Sequence, residues 1–305
     1  MSASQHALAV GQAGSALRPR RSAWFGGLHG ADYIWAIAFA LPYMAIFLAF
    51  VVYPIGYGLY LGSDPQLYRD LWSDPRYLTT VVNTSLYVGI GVNLKMFLAF
   101  MLSGFFMRKS WWTKGLLVIF ILPWATPALP AYMSIHWFLN GQWGMLNNIL
   151  YLLFGIDGPI YLNDHWMGLA SNIGAYIWKT LPFWTVILLA GRMAVPTELY
   201  EAAAVDGASG WFRFTHVTIP LMANLYLVCT LLDMVFALGD FNATYFVSGG
   251  GPAMSTEVLA TLGIRYAFTT ALPRLGVAAV MSALPLLIPL VILLMRKLRM
   301  SEGQL

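Results

Sequence analysis

The feature that most constrains this chain is a short polar stretch set between two long apolar ones. Val195-Pro196-Thr197-Glu198-Leu199-Tyr200-Glu201-Ala202-Ala203-Ala204-Val205-Asp206-Gly207-Ala208 continues through Phe212-Arg213-Phe214 to Ile219-Pro220-Leu221. Pro196 suits a first helical position, Glu198, Glu201 and the alanines favour helix, and Gly207 is a natural stop. A helix of about ten residues rises about 15 Å, half of a bilayer core, so this piece lies outside the membrane. Leu199, Ala202, Ala203 and Asp206 fall on one side at helical spacing, which leaves the middle of that side almost bare. Glu198 and Glu201 put charge at its edge. Ser209 is placed to cap a second short helix carrying Trp211, Phe212, Arg213 and Phe214. Helix, glycine bend, helix and membrane entry together describe a compact docking knob.

The apolar segments set the fold class. Of 305 residues, 59% are hydrophobic and only 10% charged, well under the charge of a soluble domain. The run Tyr33–Leu61 is too long for a secretory signal and reads as a first span, kinked at Pro42 and Pro54. Further spans are expected at about Leu78–Met107, Gly115–Leu139, Met167–Gly191, Leu221–Phe246 and Leu275–Met295. The expectation is an all-α polytopic membrane protein with six transmembrane helices. Residues 1–30 would be a tail, 31–300 the membrane domain with its polar loop at about 192–220, and 301–305 a second tail. Gly249-Gly250-Gly251-Pro252 breaks the loop after the fifth span.

Lysine and arginine placement gives an orientation. With the N-terminus inside, Arg18, Arg20, Arg21, Arg108, Lys109, Lys114, Arg192, Arg213, Arg296, Lys297 and Arg299 are cytoplasmic. Only Arg69, Arg76, Arg265 and Arg274 lie outside, and Lys95 and Lys179 fall within spans. Both termini and the docking knob are therefore expected in the cytoplasm.

Several chemistries lack their residues. The single Cys229 allows no disulfide within the chain, and His6, His29, His136, His165 and His216 have no metal-ligand spacing. Neither a phosphate loop nor an H-E-x-x-H motif occurs, so ATP chemistry belongs to another subunit. No enzyme active site, bound cofactor or metal is expected, and nothing suggests nucleic acid.

The run Glu201-Ala202-Ala203, with Gly207 six positions after Glu201 and then Val217, Ile219 and Pro220, resembles the "EAA" signature of permease subunits of binding-protein-dependent ABC importers. Val217 and Ile219 replace the usual isoleucine and leucine. From about Leu41 onward the chain is similar to the maltose-type sugar permeases. The matching stretches are Val51 to Gly58, Asn83-Thr84-Ser85, Trp178-Lys179 with Pro182-Phe183, and Asp240-Phe241 through Tyr245 to Gly249-Gly250-Gly251-Pro252 with Ser255-Thr256. Gly239 stands where such permeases often carry Asn. The resemblance implies a six-helix type I importer permease of a bacterial or archaeal cytoplasmic membrane. Glu198, Leu199, Glu201, Ala202, Ala203, Asp206, Gly207, Ala208, Phe212 and Arg213 would then form coupling helices docked on an ATPase. It also implies a second homologous permease in a heterodimer with this chain, two ATPase subunits that bind ATP and Mg, an extracytoplasmic solute-binding protein, and a sugar or polyol solute.

Polar residues within spans mark a possible path. Lys95 is costly in a bilayer unless it pairs or lines water, so it either donates to sugar hydroxyls or pairs with Asp233. Asp240, Asn242 and Tyr245, toward the outer half of the fifth span, either fix a polyhydroxyl ligand or bond the unwound backbone before Gly249. Lys179 reads as packing or snorkelling. Trp124, Trp137, Trp143 and Trp166 read as interfacial anchors, with sugar stacking the other option. Two further readings stay open: an ABC importer permease for a non-sugar solute, and a stand-alone secondary transporter. The latter would usually show internal repeats, and no convincing repeat relates the two halves.

Overall fold

Proline and polar caps decide where the helices of this chain begin, bend and stop. The computed structural model describes residues 30–108, 110–289, 291, 292 and 295. Residues 1–29, 109, 290, 293, 294 and 296–305, among them Arg18, Arg20, Arg21, Lys109, Arg296, Lys297 and Arg299, lie outside the described residues. The chain divides into two units, Met1–Tyr57 and Gly58–Leu305.

In the first unit the described chain is one helical run. It belongs to α1, Trp35–Leu61, whose last four residues fall in the second unit, and contains a wide turn at Leu48–Val52 that ends two positions before Pro54. A proline offers no N–H and crowds the carbonyl four residues back, and a widened turn accommodates both effects.

In the second unit, α2 (Pro65–Ser73) starts at Asp64, whose carboxylate accepts the Gln66 N–H at 2.9 Å. α3 (Tyr77–Phe106) contains a wide turn at Tyr87–Val92. α4 (Trp111–Ala125) and α5 (Ala128–Phe138) meet at a bend of 97°. Long α7 (His165–Met193) follows the short α6 (Met145–Phe154). Asp164 caps α7 by accepting the Met167 N–H at 2.8 Å. Then come α8 (Thr197–Val205), α9 (Gly210–Gly239), α10 (Leu259–Ile264) and α11 (Pro273–Leu287). Among the described residues, four helices are long and apolar enough to span a membrane, or five if α4 and α5 make one span.

Three expectations are corrected. The third span is not a straight helix. Pro127 forces Thr126 into extended backbone (ψ 144°), because the residue before a proline avoids helical geometry. The fifth apolar helix starts earlier than Leu221, at Gly210, and ends earlier than Phe246, at Gly239. Asp240, Asn242 and Tyr245 therefore lie beyond it, in an extended break and the wide turn Thr244–Ser248. Pro196 sits one residue ahead of α8 rather than at its first position. The sixth apolar run is described only as the shorter α11 and the residues just after it.

α7 packs along α3 and against α4 and α9. Tyr87, Val92, Met96, Leu188 and Met222 fill the space between them. Lipid is as apolar as these side chains, so association rests on close packing and on hydrogen bonds between helices. Asn83 on α3 supplies two such bonds to the loop after α9, donating to the carbonyls of Ser255 (2.6 Å) and Glu257 (2.9 Å). Thr84 accepts the Leu259 N–H at 2.9 Å. These bonds pin the loop against α3 and give the Asn83-Thr84 pair a structural task.

Candidate functional site: a polar cavity and a docking loop

Three helices converge on one buried carboxylate. Asp233 of α9 is 1% exposed, and its Oδ1 accepts from Lys95 Nζ of α3 at 2.8 Å. Two groups of α7 reach the same oxygen, Trp184 Nε1 at 2.8 Å and Tyr176 hydroxyl at 3.1 Å. Lys95 is itself fully buried. Its ammonium also donates to Thr180 Oγ1 at 2.7 Å and stands 3.7 Å from the centre of the Tyr176 ring. Thus the pairing foreseen between Lys95 and Asp233 is present in the structure. Asp233 Oδ2, in contrast, is buried without a hydrogen-bond partner.

That carboxylate lines a cavity of about 340 Å³. Tyr132, Tyr176, Phe183, Trp184 and Phe236 supply aromatic walls, and Trp124 stacks on Phe183 at 5.4 Å between ring centres. Asp240 and Asn242 also line it, whereas Lys95 stands behind Asp233 and Tyr245 lies elsewhere, 53% exposed. Asp240 is satisfied locally. Its Oδ1 accepts the Asn242 N–H and side-chain amide, both at 3.1 Å, and its Oδ2 accepts the Tyr87 hydroxyl at 2.8 Å. Asp240 thus supports the turn just after Gly239 rather than the backbone before Gly249, and it and Asn242 also face the cavity.

Lys179 explains how the cavity keeps its shape. The α4–α5 break frees carbonyls that a continuous helix would have used. Lys179 Nζ of α7 donates to three of them, Pro123 at 2.8 Å, Trp124 at 3.1 Å and Thr126 at 2.5 Å. It is buried rather than snorkelling. One ammonium has three protons, and this one spends all three on the break.

Sequence reasoning missed Tyr176, Thr180 and Trp184. They recur every fourth residue along α7, which puts them on one helix face; that spacing was the available signal. A larger cavity of about 910 Å³ between α5 and α7 is lined mainly by Pro130, Ile135, Phe138, Met167 and Trp178 and holds no ionised group.

The loop expected to dock folds as a hydrogen-bonded corner. α8 ends where Gly207 adopts φ +78°, a left-handed conformation that suits glycine. The Ala208 N–H reaches back to the Ala203 carbonyl at 2.9 Å and the Gly207 N–H to Ala204 at 3.1 Å, the pattern that closes a helix terminus. Ser209 caps α9 by accepting the Phe212 N–H at 3.2 Å. Tyr200 turns inward, its hydroxyl 3.0 Å from Thr218 Oγ1, and ties α8 to α9. Glu198, Leu199, Glu201, Ala202, Asp206, Gly207 and Phe212 face outward, with Ala203, Ala208 and Arg213 half-buried. Val205 and Trp211 are also exposed. The corner thus presents apolar groups flanked by carboxylates on a fixed frame.

Arg192, at the end of α7, anchors this corner to α3. It is buried, donates to the Phe100 carbonyl at 3.0 Å, and lies over the rings of Phe100 and Phe214.

Comparison with known proteins bears on this architecture. The family model of the binding-protein-dependent transport system inner membrane component matches residues 95–299, more than half of the chain. The chain belongs to this family. The matched region of this inner membrane component holds the Lys95–Asp233 centre and the docking loop alike. Among curated relatives, the sulfoquinovosyl glycerol transport system permease protein of Agrobacterium fabrum is 32% identical over 65% of this chain and 61% of its own. The trehalose/maltose transport system permease protein of Thermococcus litoralis is 32% identical over 65% of each. These matches span under two thirds of the relatives' length. A probable ABC transporter permease protein of Bacillus subtilis is 28% identical over 87% of this chain and 97% of its own. Among solved structures, a bacterial ABC transporter involved in import of the acidic polysaccharide alginate shares the fold, with TM-score 0.73 and 21% identity. That match covers 87% of this chain and 96% of the other.

Proposed function

We propose that this chain is a permease subunit of an ATP-driven importer for a sugar, oligosaccharide or polyol. The observation that carries this reading is the docking loop, a braced corner with an exposed face standing between two helices long enough to span a membrane. Family membership and relatives named for sugar transport support it.

In this reading the chain performs no bond chemistry. It sits in the cytoplasmic (inner) membrane with both termini inside, beside a second homologous permease. Two ATP-binding subunits hold ATP and Mg and grip the loop Glu198 to Arg213. Their closure moves α8, and the Tyr200 and Arg192 contacts carry that movement into α9, α7 and α3. An extracytoplasmic binding protein, as in the alginate transporter complex with its periplasmic protein, delivers solute to the opposite side. The cavity beside Asp233 is part of the path.

The test is affinity purification of the chain from its native membrane, identification of the co-purifying proteins, and sugar uptake by the complex in liposomes. A second permease, an ATPase and ATP-dependent uptake are expected. A chain that purifies alone and transports without ATP would overturn the reading.

A further inference from the structure

The turn between α3 and α4 gathers cations and indoles that neither the cavity nor the α8 corner uses. Arg108 and Lys114 are exposed, and Trp111 and Trp112 are 70% and 63% exposed. The two indoles stack at 4.0 Å between ring centres, and the Arg108 guanidinium lies 5.6 Å from the centre of the Phe105 ring. Lys109 adds a third basic residue in sequence. The turn is held in shape from beneath. Thr113 is buried, and its hydroxyl shares its proton between the carbonyls of Arg108 (2.6 Å) and Ser110 (2.7 Å). Phe106 of α3 meets Phe120 of α4 at 5.3 Å.

Charge at this turn has one sign. No Asp or Glu occurs between Arg76 and Asp157. Among the described residues, neither Arg108 nor Lys114 pairs with a carboxylate. The turn also has a definite place in the bundle. Arg192 lies against Gly104 and Phe100, one and two helical turns before it, and Phe100 meets Phe214 of α9. The patch therefore stands at the end that carries the α8 corner.

Indoles at a span end settle at the headgroup level of a bilayer, where the ring meets acyl chains and the N–H meets water. Basic side chains at that level are drawn to anionic lipid. A solvated face gives no reason for two exposed indoles, and an aromatic anchor gives none for clustered cations without an acid. We infer that the α3–α4 turn is a binding surface for an anionic phospholipid of the adjoining leaflet. Arg108 and Lys114 take the headgroup phosphate, and the Trp111–Trp112 pair covers the start of the acyl chains. The importer reading supplies only the side, the cytoplasmic leaflet.

The test is native mass spectrometry of the co-purified membrane complex in mild detergent, with dimyristoyl phosphatidylglycerol and dimyristoyl phosphatidylcholine titrated separately. Phosphatidylglycerol should bind more tightly by about tenfold or more, at the scale of about fivefold for each basic group near an anionic surface. Arg108→Gln/Lys114→Gln should remove that advantage and leave phosphatidylcholine unchanged. Arg18→Gln/Arg20→Gln takes the same charge from the N-terminal tail and should leave phosphatidylglycerol binding as it was. Glycerol phosphate, the anion without its chains, should not compete at equal concentration. Should the turn variant fail to co-purify with its partners, Lys114→Gln alone replaces it, with a loss of about fivefold expected. Four results would overturn the inference: equal binding of the two lipids by the unmodified complex, unchanged phosphatidylglycerol binding in an assembled turn variant, an equal loss in the tail variant, or displacement of the lipid by glycerol phosphate. None of these touches the importer reading, which falls instead if the same complex shows no ATP-driven sugar uptake.

Discussion

Lys95 and Asp233 lie 138 residues apart in sequence, and their side chains meet at 2.8 Å with both groups buried. Tyr176, Thr180 and Trp184 complete the cluster, so α3, α7 and α9 are fastened at one point inside the apolar bundle. A charge pair so placed is an expensive device for holding helices together. Removing one member exposes that cost.

Lys95→Met is expected to lower the stability of the assembled complex by about 3–5 kcal/mol, because it strands a buried carboxylate. Adding Asp233→Leu should recover the melting temperature but not sugar uptake, since part of the cavity's polar lining is also gone. Melting temperature and uptake, read in parallel, check this. Full return of uptake in the double variant would make the pair purely structural.

Lys179→Met should loosen the α4–α5 break by withdrawing the donor to three carbonyls at once. A hydrogen bond from a charged donor is worth about 1.5–3 kcal/mol. The expected result is a clear fall in melting temperature together with slower sugar uptake, as Trp124 and Ala128 lose their fixed place at the cavity wall. Lys179→Arg should not rescue it, because a planar guanidinium does not match three carbonyls converging on a point. Rescue by arginine would contradict this account.

Gly104→Val should act on Arg192 from across the helix interface. A Cβ at Gly104 would lie 2.8 Å from Arg192 Nη1, so the guanidinium must swing away and surrender its bond to the Phe100 carbonyl. The α8 corner then loses one tie to α3. ATP hydrolysis is expected to persist while uptake per ATP falls several-fold, measured on the reconstituted complex. Unchanged coupling would show that Arg192 only packs.

Outside the spans, Tyr266 donates a hydrogen bond to Asp74. Burial alone would push the Asp74 carboxyl up, yet the Tyr266 hydroxyl with the Arg76 amide and guanidinium outweighs it and holds the group below its ordinary 3.8. A depressed carboxyl stabilises the fold above the unfolded value and loses that contribution as pH falls through the lower folded value. The melting temperature should therefore drop on acidification below about pH 4. Tyr266→Phe should shrink that drop. The same Tyr266 hydroxyl, raised to about 12 by burial and by Asp74, should not titrate near neutrality.

Much of this architecture is legible in the sequence because its signals are local. Glu201 to Ser209 carries helix, stop and cap in sequence order, and the structure places Gly207 and Ser209 in the last two roles. The Lys95–Asp233 pair was legible for another reason, since an intramembrane charge needs a partner and few were on offer. Less was visible where geometry depends on several segments at once. The third apolar run reads as one span by hydropathy, and its bend of 97° is held by the ammonium that Lys179 brings from another helix. Asp240 reads as part of a span by hydropathy, and only the turn it forms with Asn242 and the Tyr87 bond take it out of α9. Tyr245 shares that segment yet faces away, because a wide turn shifts the helical phase.

The central claim is that the corner at α8 couples this chain to an ATPase, and Glu201→Lys tests it most directly. Glu201 is exposed and outside the spans, so the variant should insert and retain its melting temperature. The measurement is ATP-driven sugar uptake by the reconstituted complex, unmodified and variant side by side. The account predicts robust ATP-dependent uptake in the first and a loss of about tenfold or more in the second, the scale of a charge reversal at a docked interface. Equal uptake by the two complexes would contradict it.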